Sequence, residues 1–135
     1  TNLNDKIINY TMLERKIQYA EEMILSPENL DKKCALDYII DSLQYIISIQ
    51  DGTGIADKYS NASKKISNNV YGKVYAVIKN EINELMKISN EYFDIRHNEY
   101  LNKAKEKREA ITDSIFIEYL YNRAYALLYI LKMKQ

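Results

Sequence analysis

Glycine and proline are scarce in this chain, with three Gly and one Pro among 135 residues. Folds built from many short strands need turn residues about every 8–12 positions. So few turn residues exclude an all-β sandwich or barrel. The scarcity therefore predicts an all-helical fold, and the length predicts one domain over residues 1–135.

Cysteine and histidine are scarcer still: Cys34 and His97 are the single examples, and tryptophan is absent. A lone Cys forms no intramolecular disulfide and builds no thiolate metal site alone. One His leaves no Cys/His zinc spacing and no recognisable nucleophile triad, and no Gly-rich phosphate loop is present. These absences favour a protein without catalytic activity and without a cofactor.

Long apolar runs are also missing. The apolar stretches stop well short of the roughly 20 residues that a membrane helix needs, and no basic segment with an apolar core stands at the start. We therefore expect a soluble, cytoplasmic protein with no membrane partner.

Hydrophobic residues recur at three- and four-residue steps, which predicts four principal helices in an antiparallel bundle. Ser26 and Pro27 are an end-and-start signal, because Ser caps free amides and Pro suits the first helical position. Thr112 or Asp113 is expected to cap the last helix. The predicted helices span about 2–25, 27–50, 70–110 and 113–132.

The second predicted helix is apolar around most of its circumference, which places it in the middle of the bundle. The third is too long to be buried as one straight rod, so a bend is expected near Ser89-Asn90 or His97-Asn98. Residues 51–69 are polar and rich in Ser and Asn. They predict a long polar connection with at most one short helix.

Positive and negative charges balance overall but form alternating blocks of −4, +4, −3 and +3 over residues 1–55, 56–79, 80–102 and 103–135. A net charge of zero removes the global attraction behind non-specific nucleic-acid binding. Two local basic clusters are left, and they are either solvated helix faces or contacts to nucleic acid or nucleotide. The clusters are Lys58, Lys64 and Lys65, and Lys103, Lys105, Lys107 and Arg108.

Tyrosine is abundant, with 13 residues. Tyr is favoured at interfaces and as a stacking platform for bases. The chain is equally rich in Ile, Lys and Asn, which share A/T-rich codons with Tyr. Coding bias is therefore an alternative explanation for the Tyr content.

Asp37 and Asp41 lie four residues apart on one face of the second predicted helix. Carboxylates on facing helices hold divalent metals in helical bundles, so this pair is a candidate Mg²⁺ site. Glu28-x-x-Asp31 and Glu91-x-x-Asp94 resemble half of the carboxylate motif of helical nucleotide pyrophosphohydrolases. The other half, Glu-Glu-x-x-Glu, is absent. Solvated carboxylates are the alternative reading.

Arg96 and His97 form a second candidate site, since His is the one side chain that titrates near neutral pH without perturbation. The segment 92–98 resembles the active segment of the HEPN family of helical-bundle ribonucleases. That pattern has a His four to six residues after its Arg, whereas residues 101–103 here are Leu, Asn and Lys. The resemblance therefore implies binding of RNA or a partner rather than cleavage.

Glu118 and Arg123, with Asn122, interrupt the otherwise apolar last helix and are further candidate site residues. Buried charges need partners, and one small bundle cannot easily cover this helix. We therefore expect a small interaction or regulatory module that forms a homodimer through its last helix. The alternative function is a helical bundle that binds or processes nucleic acid or nucleotides.

Overall fold

Five α-helices account for most of the described chain in a computed structural model of this protein. The structure describes residues 3–68, 70–92, 107 and 109–135, with side chains from Tyr10 onward. No strand occurs among these residues, and the prediction of an all-helical fold is confirmed. The helices are α1 (Leu3–Met23), α2 (Asn29–Ser48), α3 (Ile55–Ile66), α4 (Lys73–Glu91) and α5 (Ser114–Met133).

The α2 helix is the centre of the core, because its apolar side chains point in nearly every direction. It packs most extensively against α5 and next against α1. Its largest buried side chains are 1% exposed or less: Leu36, Ile39, Leu43, Ile46 and Ile47. At about 1.5–3 kcal/mol for each such side chain, this burial is the main source of stability.

Neighbouring helices differ in direction. α1 runs antiparallel to α2, since Tyr19 meets Tyr38 with ring centroids 6.2 Å apart and Ile24 meets Lys32. α2 and α5 run parallel: the Asn29 side-chain amide donates to the Thr112 carbonyl, while Gln50 and Gln135 meet at the opposite end. The two helices run in the same direction because α4 carries the chain back before α5 begins.

The predicted polar connection over residues 51–69 contains a 12-residue helix, α3. Ile55, Tyr59, Ala62 and Ile66 recur with helical spacing, and Ala62 and Ile66 enter the core. The many Ser and Asn residues obscure this periodicity in the sequence. The polar Ser63 is accommodated in the core because its hydroxyl donates to the Tyr59 carbonyl within the helix.

The break between α1 and α2 is where Ser26-Pro27 predicted it, but both residues lie in the connection. The Ser26 hydroxyl accepts from the Glu28 amide at 3.1 Å and donates to Asp31 at 2.6 Å. Helix α2 therefore begins at Asn29, two residues later than predicted. At α5, by contrast, the predicted cap is confirmed, since the Asp113 carboxylate accepts from the Ile115 amide.

The long third helix predicted over residues 70–110 is helical over Lys73–Glu91. Tyr92 is extended and forms an isolated bridge with Glu109, so the helix ends just after the predicted Ser89-Asn90 break. The Tyr92 ring packs edge-on against Phe116 of α5, which favours this ending. The alternative bend at His97-Asn98 lies outside the described residues.

Among the helices that the structure describes, none has the length and apolar character required to cross a membrane.

Candidate functional site

The charged side chains of α5 are each held by an ion pair to a neighbouring helix. The Lys32 amine is 2.7 Å from Glu118 and also donates to the Ile24 carbonyl, which explains how a lysine is buried there. These ion pairs fix the orientation of α5 and give each of its charged side chains an oppositely charged partner. They are Glu118 with Lys32 of α2, Arg123 with Glu81 of α4, and Lys132 with Glu14 of α1.

Two tyrosines of α5 face α1 and serve packing. Tyr121 is 6% exposed, and burial raises its pKa to about 12. Its ring stacks on Tyr125 with centroids 5.6 Å apart. The Tyr125 hydroxyl donates to Glu21 at 2.9 Å, and burial raises the pKa of Tyr125 as well. Both phenols therefore stay protonated at neutral pH.

The outward face of α5 is a single uncharged stripe. Its side chains are the exposed ones of this helix, and they follow one another in alternating steps of four and three residues. We call this face the α5 stripe: Ile115, Tyr119, Asn122, Ala126, Tyr129 and Met133. Four of its members are large apolar or aromatic side chains that are 53–75% exposed.

Each pair of steps along the α5 stripe covers seven residues, or 3.5 residues per step, which is the spacing of a coiled-coil seam. A solvent-facing helix surface normally carries Lys, Glu or other charges. Here the charged residues of α5 lie beside the stripe in ion pairs with other helices, and the Arg123 guanidinium lies over the Tyr119 ring. The stripe is thus chemically suited to packing against another helix.

A groove of about 540 Å³ lies beside α2 and is lined by residues of four helices. A smaller cavity of about 270 Å³ adjoins it, and both are lined by Lys16, Asp41 and Tyr45. The Tyr45 hydroxyl is buried and has no hydrogen-bond partner among the described side chains. The groove offers one amine, one carboxylate and the phenols of Tyr45 and Tyr59, a set that can bind a small polar molecule.

The candidate metal ligands Asp37 and Asp41 both lie half-buried on α2, and Asp41 lines the groove. Within the described part of the chain, no group of three His, Cys, Asp or Glu residues is placed to hold a metal ion. The neighbouring acids of α1 are turned away, since Glu14 pairs with Lys132 and Glu21 accepts from Tyr125.

The remaining candidate residues do not gather at one place. Glu118 lies at the start of α2 beside Lys32, whereas Arg123 lies against Glu81 of α4. Neither lines the groove at Asp41. Arg96 and His97, the candidate acid–base pair, lie outside the described residues.

Comparison of the chain with family models, curated proteins and solved structures yields no match. The function must therefore be inferred from the surfaces themselves.

The sequence predicted the last helix as the dimer contact, a prediction that the structure does not test, and it did not define which face of that helix is exposed. This helix is apolar nearly all round, so several of its faces could form the contact. The alternating four- and three-residue steps from Ile115 to Met133 are visible in the sequence, but other faces of the helix are equally apolar there.

Lys73, Lys79 and Lys134 were not among the residues singled out from the sequence. The structure places Lys79 beside the Tyr75 ring of α4 and Lys134 beside Asn68, just after α3. For Lys73 and Lys79 the available signal was a run of 23 residues, 58–80, with five Lys and no Asp or Glu.

Proposed function

We propose that this protein is a non-enzymatic helical interaction module that forms a homodimer through the α5 stripe. One observation carries the proposal: the exposed side chains of α5 form an uncharged seam with coiled-coil spacing. Burying that seam removes large apolar groups from water, at roughly 25 cal/mol for each Å² of apolar surface.

A second copy of the chain fits the stripe because the stripe is complementary to itself. In an antiparallel pair related by a twofold axis, large side chains lie opposite large ones and Asn122 lies opposite the small Ala126. The remaining layers pair Ile115 with Met133 and Tyr119 with Tyr129, each across the two copies. Twofold pairs of this kind are the commonest form of homo-oligomer.

Charge favours the antiparallel direction. It keeps apart the two C-terminal ends of α5, where Lys65 and Lys134 lie close to Gln135 and Asn68. A parallel pair would place these two basic ends side by side, which like-charge repulsion disfavours.

The expected affinity is modest. A 20-residue helix provides a seam about 30 Å long, which is at the low end of stable interface sizes. We therefore expect a dissociation constant in the micromolar range, about 1–100 µM.

Sedimentation velocity over a concentration series tests the dimer. Wild-type protein should pass from a 15.9 kDa monomer to a species of twice that mass as concentration rises. Ala126→Glu puts a carboxylate in the middle of the seam and should raise the dissociation constant more than about tenfold. Asn83→Glu, at an exposed position of α4 away from the stripe, is the matched control and should dimerise as the wild type does.

Wild-type protein that stays monomeric at about 100 µM would contradict the proposal. So would equal effects of the two substitutions.

Disulfide trapping tests the direction of the pair in a Cys34→Ser background. Mixing the Ile115→Cys and Met133→Cys variants should give mainly the mixed crosslink, because antiparallel helices bring these positions together. Crosslinks of each variant with itself would indicate a parallel pair and would overturn the antiparallel arrangement.

A further inference from the structure

The α3–α4 end of the molecule carries a row of two tyrosine rings with a lysine at each end. The Lys64 amine lies over the Tyr71 ring, 4.8 Å from its centroid. The rings of Tyr71 and Tyr75 meet edge to face at 4.9 Å, and the Lys79 amine lies 5.8 Å from the Tyr75 ring. We call Lys64, Tyr71, Tyr75 and Lys79 the lysine–tyrosine row.

The side chains of this row are brought together by the packing of α3 against α4. Helices α3 and α4 form an antiparallel pair, and Tyr75 exchanges a 2.7 Å hydrogen bond with Ser60 across it. That hydrogen bond lowers the pKa of Tyr75, and the charges of Lys79 and Lys64 act in the same direction. Hydrogen bonding to Tyr71 in turn raises the pKa of Lys64. Lys64 is therefore charged, and these contacts hold the two rings in place.

Further positive charge surrounds the row. Lys65 and Lys73 are exposed at the ends of α3 and α4, and Lys134 of α5 donates to Asn68 in the connection between them. Two acidic residues border this surface. Asp57 accepts from Thr53 and its charge also acts on Lys64, whereas Glu81 is paired with Arg123. Residues 58–80 themselves contain no Asp or Glu.

The row is also open. Tyr71 is 64% exposed, and the apolar side chains next to it, Val70 and Val74, are 62% and 56% exposed. Tyr75 and Lys79 lie about one helical turn apart on α4, and Tyr71 comes just before that helix.

We propose that the lysine–tyrosine row is a binding site for single-stranded nucleic acid, in which the lysines contact phosphates and the Tyr71 ring stacks on a base. Stacking needs an unpaired base, so the site favours a single strand over a duplex. Positive charge alone would suit an anionic membrane equally well. The ordered rings between the lysines favour the nucleic acid, since stacking on aromatic side chains is the standard means of sequence-tolerant strand binding.

Fluorescence anisotropy with a labelled oligothymidine of about 12 nucleotides tests the proposal, because strand-binding sites cover about 4–16 nucleotides. Wild-type protein at low salt should bind with a micromolar dissociation constant. Removing two charges with Lys64→Gln and Lys79→Gln should weaken binding and flatten the dependence of log K on log salt by about 1.4. The control pair Arg15→Gln and Lys87→Gln removes two exposed positive charges elsewhere and should change the salt dependence little.

Tyr71→Leu separates stacking from charge. It keeps an apolar side chain and every lysine, so binding should weaken about tenfold while the salt dependence stays unchanged. Tyr19→Leu, at another exposed tyrosine, is its control and should bind as the wild type does. Circular dichroism and the monomer–dimer behaviour of each variant check that the fold and the α5 stripe are intact.

Four outcomes would overturn the proposal. They are the absence of oligothymidine binding at low salt, equal losses in the row variants and their controls, tighter binding of a duplex of the same length, and binding of phosphatidylserine vesicles in place of the oligonucleotide. None of them bears on dimerisation, which depends on a different surface.

Discussion

Helices α5 and α4 have nearly the same length, 20 and 19 residues, but they place their apolar side chains differently. α5 buries side chains along its whole length, from Ile117 to Leu131. α4 buries only positions in its C-terminal half, from Ile82 to Ser89. In its N-terminal half, Val74 and Val77 are 56% and 64% exposed.

The difference follows from what each helix packs against. α5 lies along α2, which is apolar nearly all round and covers it from end to end. α4 packs mainly on α3, which has 12 residues, and meets α5 at few points. Stability should therefore be concentrated in the α2–α5 pair, whereas the α3–α4 end supplies an open surface with lysines and tyrosines.

The largest expected effect is a core truncation in α2. Leu43 is fully buried, so Leu43→Ala should lower the free energy of unfolding by about 3 kcal/mol, within the usual range of about 2–5. Val77→Ala removes a similar apolar side chain from the exposed half of α4 and should cost less than about 0.5 kcal/mol. Urea unfolding followed by circular dichroism measures both.

Comparable losses from the two substitutions would break the contrast between the regions. They would mean that the N-terminal half of α4 is covered in solution.

An intermediate effect is expected at the junction between the two regions, where Gly52 follows α2. Its φ of +137° is rarely adopted by other residues, and a Cβ there would lie 2.7 Å from the Asp57 Cβ and 3.2 Å from the Lys58 amide nitrogen. Gly52→Ala should therefore destabilise the protein by about 2 kcal/mol. Gly54→Ala meets no atom within 4 Å and should change stability by less than about 0.5 kcal/mol.

Thermal or urea unfolding of the two glycine variants gives the comparison. A larger loss of stability from Gly54→Ala than from Gly52→Ala would contradict the clash expected at Gly52.

The smallest effect is a dependence on alkaline pH that is specific to the α2–α5 region. The folded protein keeps the Tyr121 proton up to a pKa of about 12, whereas an ordinary Tyr releases it near 10.0. Between these pH values the unfolded state binds fewer protons, so stability falls as pH rises. After allowance for solvent screening, Tyr121 accounts for about 1–2 kcal/mol of this loss.

Tyr121→Phe removes that contribution. The variant should lose less stability than the wild type between about pH 9 and pH 11, as measured by urea unfolding at both pH values. Tyr19→Phe changes an exposed tyrosine outside the α5 stripe and should retain the wild-type dependence. An identical pH dependence in wild type and Tyr121→Phe would show that this ring titrates normally.

Much of the fold was predictable from local patterns. The nearly all-round apolar character of α2 and α5 indicated buried helices, and Asp113 at the start of α5 indicated a cap. The periodicity of α4 was misleading, because Val74, Val77 and Leu85 share a helical face but only Leu85 is buried. Periodicity reports which residues share a face and not whether another helix covers it.

The candidate sites show the same limit. Glu118 and Arg123 were recognised as polar groups on an apolar helix that need partners, but their partners Lys32 and Glu81 lie 86 and 42 residues away in the chain. No local spacing predicts such pairs. The lysine–tyrosine row likewise joins Lys64 of α3 to Tyr71 across a turn, and the sequence showed only its net charge.

The sequence by itself determined the helical class, the central position of α2 and the excess of positive charge over residues 56–79. Each of these depends on composition or on the spacing of hydrophobic residues along one segment, which does not require knowing which helices meet. Tertiary structure decided the parallel course of α2 and α5, the uncharged α5 stripe and the ordered lysine–tyrosine row. Each of these depends on which helix faces which. That choice is made by the packing of side chains distant in sequence, and no local pattern of this chain encodes it.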